Sequence, residues 1–291
     1  MKVLHLGYFG PDQSEWSIKK GFENQGHEVV TFDFRTPMTI DGKSMEERDN
    51  LLVEFFDKEK PDLTFFQKAK GIDVDVVKHC NKTSKTFIWY MDPMNNMCLN
   101  IESKIEFCHN TGLALYEVYD IMKKNYPNVH FINDGSNPNW DHPITIGYQI
   151  DIGFIGQHYG KRRDRLDALG IEPMRGFYRE LHAAAINATK INLCFTDSGI
   201  WGKNGWSARA YKVMASSGFL LVEKFPFMEK YNFKEGVHFV AFDGTNDLLR
   251  KVDYYLIHEE EREAIALAGY KHVQNYSRYN LVEKILEIVN A

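Results

Sequence analysis

The chain has 291 residues, a formal net charge of -5 and a pI near 6.1. It is 44% hydrophobic and 26% charged, the composition of a globular protein, and is long enough for two domains of ordinary size. No run of 18 apolar residues occurs and the first segment soon turns polar, so we expect no membrane span, no signal peptide and a cytoplasmic location. The slightly acidic balance argues against a protein with a general attraction to nucleic acid or anionic membranes.

Cysteine usage gives a second constraint. The four cysteines are Cys80, Cys98, Cys108 and Cys194. No pair has CxxC spacing, so neither a disulfide framework nor a zinc site is expected. We therefore expect free and mostly buried thiols.

Strands and helices alternate through the first half of the sequence. Short apolar runs predict strands at residues 2–6, 28–32, 62–66, 86–90, 112–115 and 129–132. Helical patterns lie at residues 14–24, 44–58, 74–80, 95–101 and 117–125. Alternation of this kind is typical of a parallel sheet with helices on both faces.

A second alternating series follows residues 133–143, NDGSNPNWDHP, whose Gly, Pro, Asn and Asp content suggests an interdomain connection. Its predicted strands are residues 149–155, 191–195, 219–222 and 238–241, and its helices are residues 162–169, 178–187, 207–216 and 246–258. The tail is helical, with a break at residues 277–279. We expect a first domain at 1–145, a second at 146–275, and a last helix at 276–291 that returns to the first domain.

The sequence GWSARAYKVMASSGFLLVE, residues 205–223, has the layout of a ligand site. Ser207 stands where a side chain can cap a helix by accepting from backbone amides, and Arg209 adds positive charge to the first turn. Free amides at a helix start favour an anion such as a diphosphate. Residues 216–218 then let the chain turn into an apolar strand.

Several segments of the second half, in this order, resemble the GT-B superfamily of glycosyltransferases, and most closely its CgeB-like branch. They are DIGFIG from Asp151, Arg163, SARAYKVMASSGFLLVE, FKEG from Phe233 and YYLIHEEEREAIALAG. The first half matches only in general layout. The resemblance implies an α/β protein of GT-B fold, with two Rossmann-like domains facing a cleft.

The resemblance also implies ligands and site residues. The expected donor is a nucleoside-diphosphate sugar, in particular a UDP-sugar. The second domain would hold it without a metal or other cofactor. Its phosphates would meet Gly156, Arg163, Ser207, Arg209 and Tyr211, while Gly10 in the GYFG loop would line the first domain's side. Tyr211 also fits a core-facing helical stripe.

The sequence departs from the family at Lys212, where many members carry a glutamate that binds the ribose. Lysine cannot accept those hydrogen bonds.

The best candidate for removing a proton from the acceptor is Asp92, which follows a predicted strand in WYMDP. A parallel sheet presents functional side chains at the carboxyl ends of its strands. His5 and Asp12 are alternatives near the first loop. Asp73 and Asp75 mimic a metal-binding DxD motif, but their position suits a helix start better.

The sequence leaves two classes of hydroxyl acceptor possible. One is a glycan or surface polymer, and the other is a hydroxymethylated pyrimidine in DNA. The second predicts a basic patch drawn from Lys68, Lys70, Lys123, Lys124 and Tyr126. Two other functions also remain: a sugar-binding protein without activity, suggested by Lys212, and a sugar-nucleotide epimerase of the same fold. Trp201 and Trp206 could stack on a base or sugar, or belong to a packed loop.

Overall fold

The computed structural model describes residues 1–93, 101–196 and 205–291. The chain forms two compact units, unit 1 with Met1–Asn133 and Arg278–Ala291, and unit 2 with Asp134–Ser277. Each unit contains a parallel β-sheet with helices. The prediction of an α/β protein with two Rossmann-like domains is confirmed.

Unit 1 is built on a sheet whose described strands run in the order β2-β1-β3-β4-β5-β6, all parallel. The strands are β1 Lys2–Gly7, β2 Glu28–Asp33, β3 Leu63–Gln67, β4 Lys85–Tyr90, β5 Asn110–Leu113 and β6 Val129–Phe131. Its helices are α1 Glu15–Asn24, α2 Thr36–Thr39, α3 Met45–Glu59, α4 Val74–Cys80, α5 Ile101–Phe107, α6 Tyr116–Met122 and the last helix of the chain, α12 Arg278–Asn290.

Helix packing on both faces of this sheet explains its apolar strands. Every residue of β3 is buried, as expected for a strand covered on both sides. Helix α12 packs against α1, where a Cβ on Gly21 would lie 2.8 Å from Val282 Cγ2. Glycine therefore allows the two helices to approach closely.

Unit 2 has a smaller sheet, of order β10-β9-β8-β7 over its described strands and again parallel. The strands are β7 Ile150–Gly153, β8 Thr189–Cys194, β9 Leu220–Glu223 and β10 Val240–Phe242. The helices are α7 Lys161–Leu169, α8 Glu180–Asn187, α9 Ala208–Ala215, α10 Gly244–Ile257 and α11 Glu259–Val273, with a 3-10 helix at Met228–Tyr231.

The sheet of unit 1 reverses its strand order between β1 and β3, and such points are where open α/β sheets bind ligands. In unit 2 the described strands follow one another without a reversal, and β7 is the edge strand. Beyond the end of β7, Ile155 forms an isolated parallel bridge with Met174. The reversal makes the carboxyl ends of β1 and β3 the place to look for function in unit 1.

Several smaller expectations can be checked on the described part of the chain. Cys80, Cys108 and Cys194 are buried free thiols, whereas Cys98 lies outside the described residues. Burial raises the pKa of Cys80 to about 12 and that of Cys108 to about 11. Asp73 caps α4 by accepting from the Asp75 amide at 2.8 Å, as its position predicted.

The described ranges contain neither a cluster of metal ligands nor a membrane-spanning helix. Across residues 1–93, 101–196 and 205–291, no group of three or more His, Cys, Asp or Glu residues is arranged to hold a metal ion. No helix in these ranges is long and apolar enough to cross a membrane.

Candidate functional site

The end of β7 carries the most distinctive arrangement in unit 2. The chain continues beyond Gly153 as Phe154-Ile155-Gly156, and this segment is tied to a neighbouring one by two backbone hydrogen bonds. Met174 N donates to Phe154 O at 2.8 Å, and Gly156 N donates to Met174 O at 3.2 Å. The two bonds thus hold the segment beyond the end of β7 in place.

Arg209, from the first turn of α9, lies on this strand end. Its Nε donates to Ile155 O at 2.7 Å, and its guanidinium carbon lies 4.7 Å from the centre of the Phe154 ring. A Cβ on Gly156 would lie 2.8 Å from Arg209 Nη2 and 2.7 Å from Phe154 Cζ. Gly156 is therefore required because the arginine and the ring occupy the space that a side chain would need.

This close approach gives a stability prediction. Gly156→Ala is expected to lower the free energy of unfolding by about 1–3 kcal/mol, the usual cost of forcing atoms into a packed site. Gly147→Ala is the matched control, since a Cβ there meets nothing within 4 Å and the backbone is not left-handed. Urea denaturation of both variants measures the difference. Equal stabilities would contradict the packing described here.

Arg162 is the second arginine at this strand end. Its guanidinium carbon lies 4.7 Å from the centre of the Tyr159 ring and 6.0 Å from that of Phe154. Burial, followed by the charge of Arg209, lowers the pKa of Arg162. Within the described ranges, neither Arg162 nor Arg209 forms an ion pair with a carboxylate. Two adjacent cations without anionic partners favour an anionic ligand.

Arg163, the residue chosen from the sequence, lies on the exposed face of α7. The structure brings Arg162 and Arg209 together with Gly156, and does not bring Arg163 to them. Arg163 stays a prediction, and Arg162 is the arginine of α7 that lies near Arg209. The signal that could have found Arg162 is Tyr159, an aromatic ring three residues earlier on which a guanidinium can stack.

Helix α7 is fixed by a buried ion pair behind these arginines. Arg165 Nη2 donates to Glu223 Oε1, and Glu223 Oε2 accepts from Thr196 N at 3.2 Å. Glu223 ends β9 and Thr196 follows β8, so the carboxylate joins the helix to two strand ends. This connection positions the α7 turn that carries Arg162.

Ser207 occupies the N-cap position of α9, but the capping hydrogen bond expected from the sequence is not formed. Its hydroxyl lies 3.3 Å from Cys194 Sγ instead, at the end of β8. The tertiary contact to the thiol competes with the cap, so the first amides of α9 are not bonded by the Ser207 side chain.

A neutral imidazole lies next to the same helix. Burial, then the charges of Lys212 and Arg209, lowers the pKa of His182 to about 3. The side chain is buried, and Nδ1 has no hydrogen-bond partner among the described residues. His182 therefore adds no positive charge beside Lys212 and Arg209.

Tyr211 is fully buried, with its ring 5.9 Å from Phe233 and 6.4 Å from Trp206. Burial raises its pKa well above the usual value. Trp206 is also buried, in agreement with the packed-loop interpretation, whereas Trp201 lies outside the described residues. The rings of Tyr211 and Trp206 therefore belong to the aromatic core of unit 2.

In unit 1, Asp92 follows the end of β4 and pairs with a lysine that follows β3. The Asp92 Oδ1 and Lys68 Nζ atoms are 3.0 Å apart, and the side chains are 20% and 37% exposed. Lys68 and Ala69 both have a left-handed backbone, with φ of 68° and 52°. Such conformations are uncommon outside glycine and occur most often at functional sites. Asp92 is thus a partly exposed carboxylate at the carboxyl edge of the sheet.

A buried polar network lies beside it, at the reversal between β1 and β3. Gln67 Nε2 donates to Ser14 Oγ at 2.7 Å, and Ser14 Oγ donates to Glu15 Oε2 at 3.2 Å. Glu15 Oε1 accepts from Tyr8 N at 3.2 Å. Burial raises the pKa of Glu15, and the Tyr8 amide opposes this effect. The network was not foreseen from the sequence.

His5 and Gly10 belong to the same loop region. His5 Nε2 lies 3.0 Å from Gln67 Oε1, and burial lowers the pKa of the imidazole to about 3. With no exposed surface, the ring cannot reach a substrate. Gly10 is buried, and a Cβ there would lie 3.0 Å from the Tyr8 ring. Its carbonyl accepts from Trp16 Nε1 at 3.0 Å. Gly10 thus shapes the loop after β1.

The raised pKa of Glu15 predicts a pH dependence of stability. The folded state holds this proton more tightly than the unfolded state, so stability falls as pH rises from the unfolded value of about 4.5 through the folded pKa. The loss is about 1.4 kcal/mol per unit of pKa difference. Glu15→Gln removes it, and the variant should gain stability relative to the wild type between pH 4.5 and 7.5 in urea titrations.

Glu47→Gln is the control with the opposite sign. The Ser44 amide and hydroxyl lower the pKa of Glu47, so its carboxylate stabilises the fold once ionised. This variant should lose stability relative to the wild type as pH rises. A Glu15→Gln difference that does not change with pH would contradict the assignment.

Comparisons with known proteins can now be set beside this geometry. Residues 142–287 match a family model described as "Glycosyl transferase-like". The search of curated proteins gave no match.

Solved structures of similar fold include three proteins named for sugar transfer or solved with sugar ligands. Sucrose-phosphate synthase of Thermosynechococcus elongatus has a TM-score of 0.74 at 9% identity, covering 100% of this chain and 98% of that chain. Anabaena HepE in complex with UDP-glucose has a TM-score of 0.72 at 9% identity, covering 100% and 99%. A glycosyltransferase of Rickettsia africae has a TM-score of 0.69 at 11% identity, covering 99% and 97%. At these identities the likeness is one of fold.

Proposed function

Because the chain belongs to the glycosyl transferase-like family, we propose that it is a metal-independent glycosyltransferase that moves a sugar from a UDP-sugar to a hydroxyl acceptor. The observation that carries the proposal is the pair Arg162 and Arg209 at the end of β7. Both lie over the Phe154 ring beyond the carboxyl end of β7, within the matched residues, and neither has a carboxylate partner in the described part of the chain.

The arginines suit a diphosphate in charge and shape. Each guanidinium presents several N–H donors in a plane, which matches phosphate oxygens better than a point charge does. Sugar transfer releases the nucleoside diphosphate with its charge, and fixed cations near it stabilise the transition state. Gly156 lets Arg209 lie close to the backbone at the end of β7, and the α9 amides after Ser207 add further donors. The guanidinium groups thus supply the charge that a metal supplies elsewhere.

Asp92 is the proposed acceptor of the hydroxyl proton. Its carboxylate is partly exposed, and Lys68 holds it in one position at 3.0 Å. General-base catalysis needs a carboxylate or imidazole that can reach the acceptor, and the buried His5 does not meet that need.

The arrangement of lysines supports a glycan or surface polymer as acceptor over DNA. Lys68 and Lys70 follow β3 at the carboxyl edge of the sheet, whereas Lys123 and Lys124 follow α6, which leads the chain back to the amino edge. Lys123 and Lys124 both pair with Asp120, at 3.0 and 3.9 Å. These lysines therefore do not form one basic patch, which is what binding to a DNA backbone needs.

The test is release of UDP from a panel of UDP-hexoses and UDP-pentoses, with and without EDTA. Candidate acceptors are oligosaccharides and a duplex containing hydroxymethylcytosine. Acceptor-dependent UDP release that EDTA leaves unchanged is expected. A rearranged sugar without UDP release would identify an epimerase, and UDP-sugar binding without turnover would identify a binding protein. Either outcome would overturn the proposal. Loss of activity in EDTA would overturn the part of the proposal that says no metal is needed.

A further inference from the structure

Unit 2 contains a cavity of about 540 Å³ in the connection between β9 and β10. Its lining combines phenylalanine rings with polar side chains of the same connection, and none of these residues belongs to the arginine pair at β7. A volume of several hundred Å³ is typical of small-molecule sites.

The aromatic part of the lining is buried and firmly packed. Phe225, Phe233 and Phe239 are at most 7% exposed. Their rings surround Trp206, with centres 5.8, 5.1 and 4.9 Å from that of the indole, and Phe233 stacks on it at an interplanar angle of 25°. Because each ring is fixed by the same tryptophan, the apolar wall is formed before any ligand arrives.

The polar part of the lining is exposed and balanced in charge. Glu229, Asn232 and Lys234 line the cavity, and Asn232 Nδ2 donates to the Tyr276 hydroxyl at 3.1 Å. Lys224 and Glu235 also line it, with Nζ and Oε2 3.9 Å apart. The lining therefore contains two lysines and two glutamates, and its net charge is close to zero.

The backbone around the short 3-10 helix of this connection is unusual. Phe227 and Asn232, at its two ends, have φ of 62° and 64°. Left-handed conformations of this kind cost energy, most for a bulky residue such as phenylalanine. The connection keeps them while presenting Glu229 and Asn232 to the cavity.

We propose that this cavity binds a neutral sugar ring, a hexopyranose or short oligosaccharide. A pyranose has apolar C–H groups that can pack against Met228, the half-buried apolar side chain of the lining, and hydroxyl groups that bond to carboxylates, amides and ammonium groups. A nucleoside diphosphate would meet Glu229 and Glu235 without a surplus of cations. A wholly apolar ligand would leave the polar side chains without partners. A neutral ring with hydroxyl groups satisfies both walls.

The experiment measures sugar binding by the whole chain in the absence of nucleotide. Saturation-transfer NMR and calorimetry would use methyl β-glucopyranoside, methyl β-galactopyranoside, lactose and maltose. Binding of at least one of them is expected. Asn232→Gly and Lys234→Met should each weaken it by tenfold or more. Glycine tolerates the left-handed backbone at residue 232, so the first variant removes the amide without new strain.

Lys230→Met is the matched control, since Lys230 lies on the same 3-10 helix but does not line the cavity. It should leave sugar binding unchanged, and UDP binding should stay unchanged in all three variants. Failure of every sugar to bind would overturn the proposal, as would equal binding by Asn232→Gly and the wild type. Displacement of the sugar by UDP would also overturn it. UDP binding is measured separately, so the proposed transferase function can fail or hold independently.

Discussion

Removing both arginines at the end of β7 is expected to raise the Kd for UDP by about 10²- to 10⁴-fold. Hydrogen bonds to charged groups contribute about 1.5–3 kcal/mol each, which corresponds to about 10- to 100-fold for Arg162→Ala or Arg209→Ala alone. The effect should be large because Arg162 is half-buried and neither side chain has a carboxylate partner among the described residues. Calorimetry at a fixed ionic strength of about 0.15 M measures it.

Arg163→Ala is the matched control, one residue away on the same helix and exposed. It should change the Kd less than threefold. The charge of Arg209 lowers the pKa of Arg162, so removing either arginine also relieves repulsion between them. Arg162→Ala should therefore fold at least as well as Arg163→Ala, whereas Arg209→Ala also loses the hydrogen bond to Ile155 O. The double variant should depart from additivity. If Arg162→Ala and Arg163→Ala raise the Kd for UDP equally, the preference for Arg162 over Arg163, the residue chosen from the sequence, is contradicted.

The fold could be predicted because its signals are local. Apolar runs such as LTFFQ in β3 become fully buried strands, and Ser44 with Glu47 marks the start of α3 by a capping box that the structure contains. Each predicted strand overlaps an observed one. The short elements were missed: α2 at Thr36–Thr39 and the 3-10 helix at Met228–Tyr231 have only four residues each, too few to show a helical period.

The details of the site depend on contacts that no local pattern contains. Arg162 and Arg163 are consecutive on α7, and consecutive helical residues point about 100° apart. Which of them meets Phe154 is decided by how α7 is docked, and that docking comes from Arg165 and the distant Glu223. The family resemblance pointed to this turn of helix, but a resemblance in sequence does not contain the docking that separates Arg162 from Arg163.

The contacts of Ser207 and Asp92 also join distant parts of the sequence, so no local pattern predicts them. The sequence favours a helix cap at Ser207, but Cys194 at the end of β8 takes the hydroxyl. Asp92 was chosen for its place after β4, yet its partner Lys68 comes from the end of β3, 24 residues earlier. Neighbouring strand ends meet only when the sheet forms, so the pairing could not be seen in the sequence.

Asp92→Asn is expected to lower kcat for sugar transfer by about 10²- to 10⁴-fold, the range that positioned proton transfer contributes. Asparagine keeps the size of the side chain and a hydrogen-bond acceptor for Lys68, but it cannot take a proton from the acceptor hydroxyl. The Kd for UDP should stay unchanged, because the arginine pair belongs to unit 2 and Asp92 to unit 1. Steady-state kinetics with calorimetry separates the two effects.

Asp75→Asn is the control, an aspartate of the same unit whose pairing distance to Lys78 is also 3.0 Å. It should keep wild-type kcat, since Asp75 lies in the first turn of α4 and its carboxylate is 79% exposed and paired with Lys78 of the same helix. A kcat within tenfold of the wild type for Asp92→Asn would remove Asp92 from the chemistry. Because His5 is fully buried, the role of base would then pass to Asp12, the partly exposed carboxylate in the loop after β1.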